Sequence, residues 1–274
     1  MHPAADTAGS PRAVIVIPAR LASTRLPRKM LLAETGRPLI EHTYRAACRA
    51  TATAEVVIVT DSDEIAEAVR GFGGRAVMTS PEAPSGTARI VEALGELPPA
   101  DIIVNLQGDE PELAGDAIDL AVTALAACPE AGVSTLVTPI RTADALAEPS
   151  RVKAVLTPWT RVATGPDATT TDIWRAIYFS RAAVPAARTF TPDLLKAEPP
   201  YYWQHIGLYA YRRSVLEQWD SLPHSRLADL ESLEQLRVIE AGIPIAAAAI
   251  AASPPGIDTP EDYAAFVARE RGEA

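Results

Sequence analysis

Features that would place this chain outside a reducing, aqueous compartment are scarce in its sequence. Its 274 residues include two cysteines, Cys48 and Cys128, which stand in no paired motif, so we expect no disulfide framework and no cysteine-ligated metal. The longest apolar run, at residues 245–252, is shorter than the about 20 residues that cross a bilayer. Residues 1–11 lack the basic start and apolar core of a signal peptide. These absences predict a cytoplasmic protein with no membrane partner.

Positive charge is also in short supply. The chain has 25 lysines and arginines against 35 aspartates and glutamates, a formal net charge of −10. Such a balance argues against a general binder of nucleic acids or membrane surfaces. Acidic residues are nevertheless absent between Asp6 and Glu34, so this one stretch concentrates positive charge.

Short β-branched runs alternate with helical patterns through the first half of the chain. The predicted strands are residues 13–17, 55–60, 75–78, 101–105 and 133–137. The predicted helices include residues 39–50, 90–94 and 116–127, and a helix that begins after the cap at 61–64. This alternation predicts an α/β fold with a doubly wound, mostly parallel sheet and right-handed crossovers.

The alternation changes after residue 142. Runs at 152–156, 173–179 and 206–211 predict an added antiparallel segment. A helix is predicted over 229–241, followed by a strand at 245–250 and a helix at 260–271. We therefore divide the chain into four parts: a disordered extension at 1–12, an α/β half at 13–142, the added segment at 143–228, and a return to the main domain at 229–274.

The loop after the first strand, residues 18–29, is the first candidate site. Its cations are Arg20, Arg25, Arg28 and Lys29. A loop at the carboxyl end of a strand in such a sheet faces the ligand crevice. Clustered cations repel each other unless an anion compensates them, and a nucleotide triphosphate is such an anion. Ser23 and Thr24 add hydroxyl donors. The loop has no Walker or dinucleotide fingerprint, and the alternative is a solvated basic loop.

A second loop carries Ser85, Gly86 and Thr87 ahead of a predicted helix. Glycine allows the backbone to approach a ligand closely, and the helix amino terminus offers unpaired N–H groups. The alternative is that Ser85 or Thr87 only caps the helix.

Two aspartates complete the candidate site. Asp109 follows the strand at 101–105, so it should point into the same crevice, where Mg²⁺ on a triphosphate needs only one or two protein carboxylates. Asp258 lies one residue before a capping box formed by Thr259 and Asp262, which leaves its carboxylate available to a metal. The alternatives are a turn-forming Asp109 and an Asp258 that caps the helix itself.

Taken in order, these motifs resemble the sugar-acid cytidylyltransferases, the CMP-KDO synthetase family, where KDO is 3-deoxy-D-manno-octulosonate. The matching segments are P-A-R-x-x-S-T-R-L-P-x-K, S-G-T-x-R, Q-G-D-E-P, Y-F-S-R, H-x-G-x-Y, E-x-L-E-Q-L-R and G-x-D-T-P-E-D. The resemblance covers nearly the whole chain. It implies transfer of CMP from CTP to a small acidic acceptor, Mg²⁺ as cofactor, and a homodimer formed through the added segment, which also serves the acceptor.

The resemblance also implies roles for individual residues. Catalysis falls to Arg20, Lys29 and Asp109, and metal binding to Asp109 and Asp258. The nucleotide-binding residues are Pro18, Ala19, Arg20, Ser23, Arg25, Lys29, Ser85, Gly86 and Thr87. The acceptor-binding residues are Gln107, Arg181, His205, Tyr209, Glu231 and Gln235.

The chain departs from the family pattern at four positions. The family usually has glycine at Arg28, proline at Met30, histidine at Ala83 and an acid at Ala88. Two alternatives therefore stay open. The acceptor could be another acid, such as a small phosphonate, although the acceptor motifs favour a sugar acid. The chain could also be a CTP-binding regulator without activity, although the retained phosphate cations and metal carboxylates favour an enzyme.

Overall fold

The computed structural model describes residues 12–164, 169–252 and 255–273, so residues 1–11 of the predicted disordered extension lie outside the described residues. The described chain forms one mixed sheet of nine strands. These strands are β1 (Ala13–Ala19), β2 (Thr53–Thr60), β3 (Arg75–Met78), β4 (Ile102–Asn105), β5 (Val133–Pro139), β6 (Lys153–Thr164), β7 (Thr169–Ser180), β8 (Trp203–Arg212) and β9 (Ile245–Ala249).

The order of the strands across the sheet is β3-β2-β1-β4-β8-β5-β9-β7-β6. Parallel pairing joins β1 to both β2 and β4, β2 to β3, and β5 to β9. The pairs that involve β7 or β8 are antiparallel. The predicted mostly parallel α/β sheet with an antiparallel addition is confirmed.

Helices cover both faces of the sheet. They are α1 (Leu39–Ala47), α2 (Asp63–Gly71), α3 (Gly86–Ala93), α4 (Gly115–Ala127), α5 (Ala143–Ala147), α6 (Arg213–Glu217), α7 (Arg226–Glu231), α8 (Gln235–Glu240) and α9 (Pro260–Glu270). Apolar residues of α1, α2 and α4 form a core cluster on one face, and those of α3, α6 and α8 form another on the opposite face. Along the described chain, no helix is long and apolar enough to span a membrane.

Strand β1 shows why the sheet is buried on both faces. All seven of its residues are buried. Successive side chains of a strand point to opposite faces, so Ile15 and Ile17 join the cluster with α1 and α4, while Val14 and Val16 join the cluster with α3 and α8. The strand ends at Ala19, and the loop that follows it begins with the exposed Arg20 at the edge of the sheet.

The place of β8 in the sheet positions the candidate acceptor residues. Strand β8 lies between β4 and β5 and runs antiparallel to both. Its first residues therefore lie at the edge where the parallel strands β4 and β5 end, and Trp203 pairs with Pro139 there. This edge also carries the loops after β1 and β4.

The continuous helix predicted over residues 229–241 is wrong. The chain forms α7 and α8 instead, separated by Ser232, whose φ of 52° is left-handed. The break buries Leu233 and Leu236 while Leu230 stays 82% exposed. Apolar residues spaced three apart drift around a helix, so one straight helix could not bury all of them on one face. Glu231 and Gln235 consequently do not share a helix face.

Candidate active site

A cavity of about 310 Å³ opens at the carboxyl edge of the sheet. Its walls come from the loop after β1, the start of α3, the loop after β4 and the segment before α9. The lining residues are Pro18, Ala19, Arg20, Ala22, Ser23, Thr24, Arg25, Lys29, Met30, Ala83, Pro84, Ser85, Gly86, Arg89, Gln107, Gly108, Asp109 and Asp258. Every residue predicted to bind the nucleotide or the metal is among them except Thr87.

Lys29 joins the two predicted metal ligands. Its Nζ donates to Asp109 Oδ2 at 2.6 Å and to Asp258 Oδ1 at 3.3 Å. It also donates to the carbonyl oxygen of Ile257 at 2.7 Å. The ammonium is nearly buried, with 9% of its side chain exposed, whereas Asp258 is 47% exposed. Two carboxylates that are far apart in the sequence therefore meet at one cation in the wall of the cavity.

The other cations of the loop divide between the cavity and the outer surface. Arg20 is exposed and lines the cavity, and Arg25 Nη2 lies 3.0 Å from Asp258 Oδ1. Arg28 adopts a left-handed backbone with φ of 57°, and its guanidinium pairs with Glu64 at the start of α2. Arg28 is therefore held outside the cavity by an ion pair.

The second loop closes against the first. The Ser85 hydroxyl caps α3 by accepting from the Ala88 N–H at 3.1 Å, and it donates to Glu234 Oε1 at 2.6 Å. A Cβ added to Gly86 would lie 3.1 Å from Pro18 Cγ, so only glycine permits this approach without displacement. Thr87 is 2% exposed, and its hydroxyl accepts from Asn105 in the interior.

Arg89 is a lining residue that sequence reasoning did not assign. It is 3% exposed, and its guanidinium donates to Asp61 at 2.9 Å and to the Thr79 hydroxyl at 2.5 Å. A buried charge needs such a partner. The sequence could have indicated a role for Arg89, because it lies three residues after Gly86 in an apolar helix pattern. A cation in such a pattern has to be paired or face a ligand.

A second, larger cavity of about 900 Å³ lies beside the first, and Arg25 and Asp258 line both. It is bounded by the turn before β6, the start of β8 and the segment before α9. The polar side chains that line it are Arg25, Glu110, Thr138, Ser150, Arg151, Gln204, His205, Asp258, Thr259 and Asp262.

Glu110 stands between the two aspartates and the second cavity. Burial, together with the charges of Asp109 and Asp258, raises the pKa of its carboxyl to about 8. Its carboxyl is therefore mostly protonated at neutral pH, and the negative charge of this edge rests on the two aspartates. Its position next to Asp109 marked it in the sequence, but its burial depends on how the segment at residue 256 crosses it.

His205 is a neutral, packed side chain at the wall of the second cavity. Its Nε2 lies 2.9 Å from the Thr135 hydroxyl, which itself donates to the Leu208 carbonyl at 2.7 Å, so Nε2 carries the proton and donates. Its ring contacts Phe179 and Tyr209 at centroid distances of 4.9 and 5.3 Å. Burial lowers the pKa of His205 to about 3.

Arg181 and Glu231 bind each other and the backbone around them. Arg181 Nε donates to the Glu231 carbonyl at 2.7 Å, and its Nη groups donate to the carbonyls of Pro149 and Ser232 at 3.3 Å. The Glu231 carboxylate accepts from the Arg181 N–H at 2.9 Å and from the Ser180 hydroxyl at 2.6 Å. These bonds tie the end of β7 to the end of α7.

The six predicted acceptor residues divide between these places. Gln107 lines the first cavity and donates to the Asn105 side chain at 3.0 Å, and His205 lines the second. The other four, all of them described residues, line neither cavity: Arg181, Tyr209, Glu231 and Gln235.

Glu234 is the glutamate of the E-x-L-E-Q-L-R motif that reaches the first cavity, through its bond to Ser85. Burial raises the pKa of Tyr209 well above its ordinary value, and the charges of Tyr211 and Glu234 add to the effect. Sequence reasoning missed Glu234 because it assumed one helix from residue 229 onward. With the break at Ser232, Glu234 directly precedes α8, and its carboxylate accepts from Ser85 in the cavity wall.

Comparisons with known proteins cover most of the chain. A cytidylyltransferase family model matches residues 14–245. A 3-deoxy-manno-octulosonate cytidylyltransferase of Rhodopirellula baltica is 46% identical over 94% of this chain and 98% of its own length, and the Escherichia coli enzyme of that name is 42% identical over 96% and 98%.

One solved structure is similar throughout. It is a CMP:2-keto-3-deoxy-manno-octonic acid synthetase in complex with CTP, with a TM-score of 0.83 and 40% identity over 96% of this chain and 100% of that one. The match extends beyond fold to sequence. The chain therefore belongs to the cytidylyltransferase family that includes the 3-deoxy-manno-octulosonate cytidylyltransferases.

Proposed function

We propose that this enzyme transfers CMP from CTP to a 3-deoxy 2-keto sugar acid such as KDO and releases pyrophosphate. The observation that carries the proposal is the meeting of Asp109 and Asp258 at the Lys29 ammonium, in a cavity that Arg20 and Arg25 also line. The relatives named for this reaction support the choice of acceptor.

The first cavity holds the nucleotide in this proposal. Its cations Arg20, Arg25 and Lys29 neutralise the triphosphate, and the N–H groups at the start of α3 add donors beside Gly86. Pro18, Ala19, Ser23 and Ser85 form the remaining walls. Thr87 acts from the interior by holding Asn105, which in turn orients Gln107.

The two carboxylates suit a magnesium ion. Among the described residues there is no cluster of three or more histidine, cysteine or acidic side chains, and a nucleotide-bound Mg²⁺ needs only one or two carboxylates because phosphate oxygens and water complete its shell. Asp109 and Asp258 would hold the ion. When bound, the metal supplies charge neutralisation and lowers the pKa of a coordinated hydroxyl.

The protein's own contribution is positioning and electrostatics. Nucleotidyl transfer is an in-line displacement at the α-phosphorus, in which the anomeric hydroxyl of the acceptor attacks and pyrophosphate leaves. Arg20, Arg25 and Lys29 stabilise the charge that develops on the leaving group. Lys29 also keeps the two aspartates together, and no dedicated protein base is required.

The acceptor enters from the second cavity, which meets the first at Arg25 and Asp258. Gln107 reaches the acceptor from the first cavity, and His205 reaches it from the second. Arg181, Tyr209, Glu231 and Gln235 complete the proposed acceptor set from behind these walls. A neutral His205, which has its Nε2–H bound to Thr135, presents Nδ1 as a hydrogen-bond acceptor for a sugar hydroxyl.

Dimerisation through the added segment is also part of the proposal. Large apolar side chains are exposed there: Ile177 at 53%, Phe190 at 44% and Tyr201 at 58%. Exposed apolar groups of this size favour burial in an interface. We further propose that the enzyme works in the cytoplasm, where CTP is available.

Pyrophosphate release from CTP, Mg²⁺ and KDO tests the proposal. Lys29→Ala and Asp109→Ala should each lower kcat/KM by about 10³-fold, as loss of a transition-state contact does. Lys196→Ala and Asp193→Ala are matched controls, because this exposed pair lies outside both cavities, and they should retain full activity. Thermal melting identifies any variant that fails to fold.

The outcomes separate the alternatives. Undiminished release in a folded Lys29 or Asp109 variant refutes the assigned roles. Release with a small phosphonate such as phosphonoformate, but not with KDO, replaces the acceptor. CTP binding without turnover on any acid identifies a regulator instead of an enzyme.

A further inference from the structure

The second cavity is lined by both acids and cations. Asp258 and Asp262 belong to the segment around the start of α9. Arg151 belongs to a different part of the lining, the turn before β6, next to Gln204 of β8. An acidic acceptor that enters this cavity is repelled by the two aspartates and attracted by Arg151.

Two other arginines near the second cavity, Arg25 and Arg181, already have hydrogen-bond or ion-pair partners. Arg25 is paired with Asp258. Arg181 spends its Nε and both Nη groups on three backbone carbonyls, so it acts as a clamp between β7 and α7. Neither guanidinium can turn to an incoming carboxylate without giving up these bonds.

Arg151 differs because its partner is neutral. Its Nη1 donates to Gln204 Oε1 at 2.9 Å, and within the described part of the chain its guanidinium forms no ion pair. The nearby Glu148 carboxylate accepts from the Ser150 N–H at 3.0 Å. Arg151 is exposed, so its remaining N–H groups are open to a ligand in the cavity. A guanidinium with two adjacent N–H groups matches a carboxylate in shape and charge.

The backbone that carries Arg151 is held by two hydrogen bonds from Lys153. Lys153 is fully buried, and its Nζ donates to the carbonyls of Glu148 at 2.9 Å and Arg151 at 2.7 Å. Arg181 Nη1 binds the Pro149 carbonyl of the same turn. Fixing this turn reduces the entropy that Arg151 loses when it binds a ligand.

We infer that Arg151 binds the carboxylate of the acceptor, with Gln204 orienting the guanidinium toward the second cavity. This inference rests on the proposed function, because it requires an acidic acceptor in that cavity. It makes Arg151 a specificity-determining residue that selects acids over neutral sugars, while Arg181 supports the pocket from behind.

Steady-state kinetics of the full chain with CTP, Mg²⁺ and KDO test the inference. Arg151→Ala should raise the KM for KDO by about tenfold, the effect of losing one charged hydrogen bond, with the KM for CTP unchanged and kcat within about twofold. Arg151→Lys should recover part of the loss. Arg161→Ala is the matched control: Arg161 is an exposed arginine of β6, paired with Asp172 outside both cavities, and its variant should behave as the wild type.

A second readout separates a binding role from a structural one. The C1 carboxamide of KDO serves as a competitive inhibitor. It should bind the wild type about tenfold more weakly than KDO binds the wild type. In Arg151→Ala the carboxamide and KDO should bind with equal affinity. An unchanged KM for KDO in Arg151→Ala, or an equal rise in the KM for CTP, overturns the inference while the proposed function stands. Absence of turnover by the wild type refutes the proposed function, and the inference fails with it.

Discussion

Arg28 belongs to the motif of the loop after β1, but it does not line the first cavity. Its left-handed backbone is a conformation that favours glycine, the residue that the resemblance to the family pattern implies at this position. The side chain turns outward to Glu64 instead of toward the cavity. Arg28 is the one cation of this loop to which the family resemblance assigned no role, and charge alone could not predict its direction because charge carries no information about φ.

Two substitutions separate backbone strain from the ion pair at this position. Arg28→Gly and Arg28→Ala both lose the contact with Glu64, but only glycine relieves the left-handed strain. We expect Arg28→Gly to have the higher melting temperature of the two and to keep wild-type turnover. A higher melting temperature for Arg28→Ala would show that the left-handed conformation is not present in solution.

His205 makes the stability of the protein depend on pH. Burial lowers its pKa to about 3, whereas an unfolded histidine titrates at about 6.5. Between these values the unfolded chain binds the extra proton, so the native state loses stability as pH falls below about 6.5. His205→Gln can still donate to Thr135 but does not titrate.

We therefore expect the free energy of unfolding of the wild type to fall more steeply than that of His205→Gln between pH 6 and pH 4, by ~1.4 kcal/mol per pH unit. Urea unfolding across this range measures the difference. Parallel pH profiles for the two proteins would mean that His205 is solvated or paired with an acid.

At the scale of elements, the strands were the most predictable part of the fold. Runs such as that of β1 are apolar on both faces, which is typical of a strand buried in a parallel sheet. The loops after β1 and β4 could be placed for the same reason. The position of β8 inside the sheet could not be predicted, because it depends on pairing between strands distant in sequence.

The break between α7 and α8 was missed because local signals favour helix on both sides of it. Ser232 is not a residue that favours a left-handed backbone, yet it lies at the carboxyl end of α7 with φ of 52°. Tertiary burial of Leu233 and Leu236 outweighs the local preference. Glu234, and with it one contact of the cavity, could therefore not be predicted.

Glycine at this break should stabilise the protein. Ser232→Gly removes the left-handed strain and should raise the free energy of unfolding by about 1 kcal/mol, whereas Ser232→Ala should leave it unchanged or lower it. Denaturant titration of both variants measures this. Destabilisation by glycine together with stabilisation by alanine would indicate the single continuous helix that the sequence pattern suggested.

At the scale of the whole molecule, a chain with a net charge of −10 carries four cations and no acidic residue in the loop after β1, at residues 18–29. The placement of Lys29, Asp109 and Asp258 at one edge of the sheet could be predicted because each lies in a motif there, whereas their roles stay predictions. The contact of these three residues with one another could not be predicted from the sequence. The second cavity could not be predicted either, because it forms only when β8 and the segment before α9 come together. The division of the chain into four parts stays a prediction.

Calorimetric titration of CTP with and without Mg²⁺ tests the central claim, that cations of the loop after β1 and two distant carboxylates converge on one nucleotide. For the wild type, Mg²⁺ should tighten CTP binding. Asp109→Asn and Asp258→Asn should each abolish most of that gain while binding metal-free CTP at least as tightly, because each removes a negative charge. A Mg²⁺ gain in Asp258→Asn equal to that of the wild type would contradict the account.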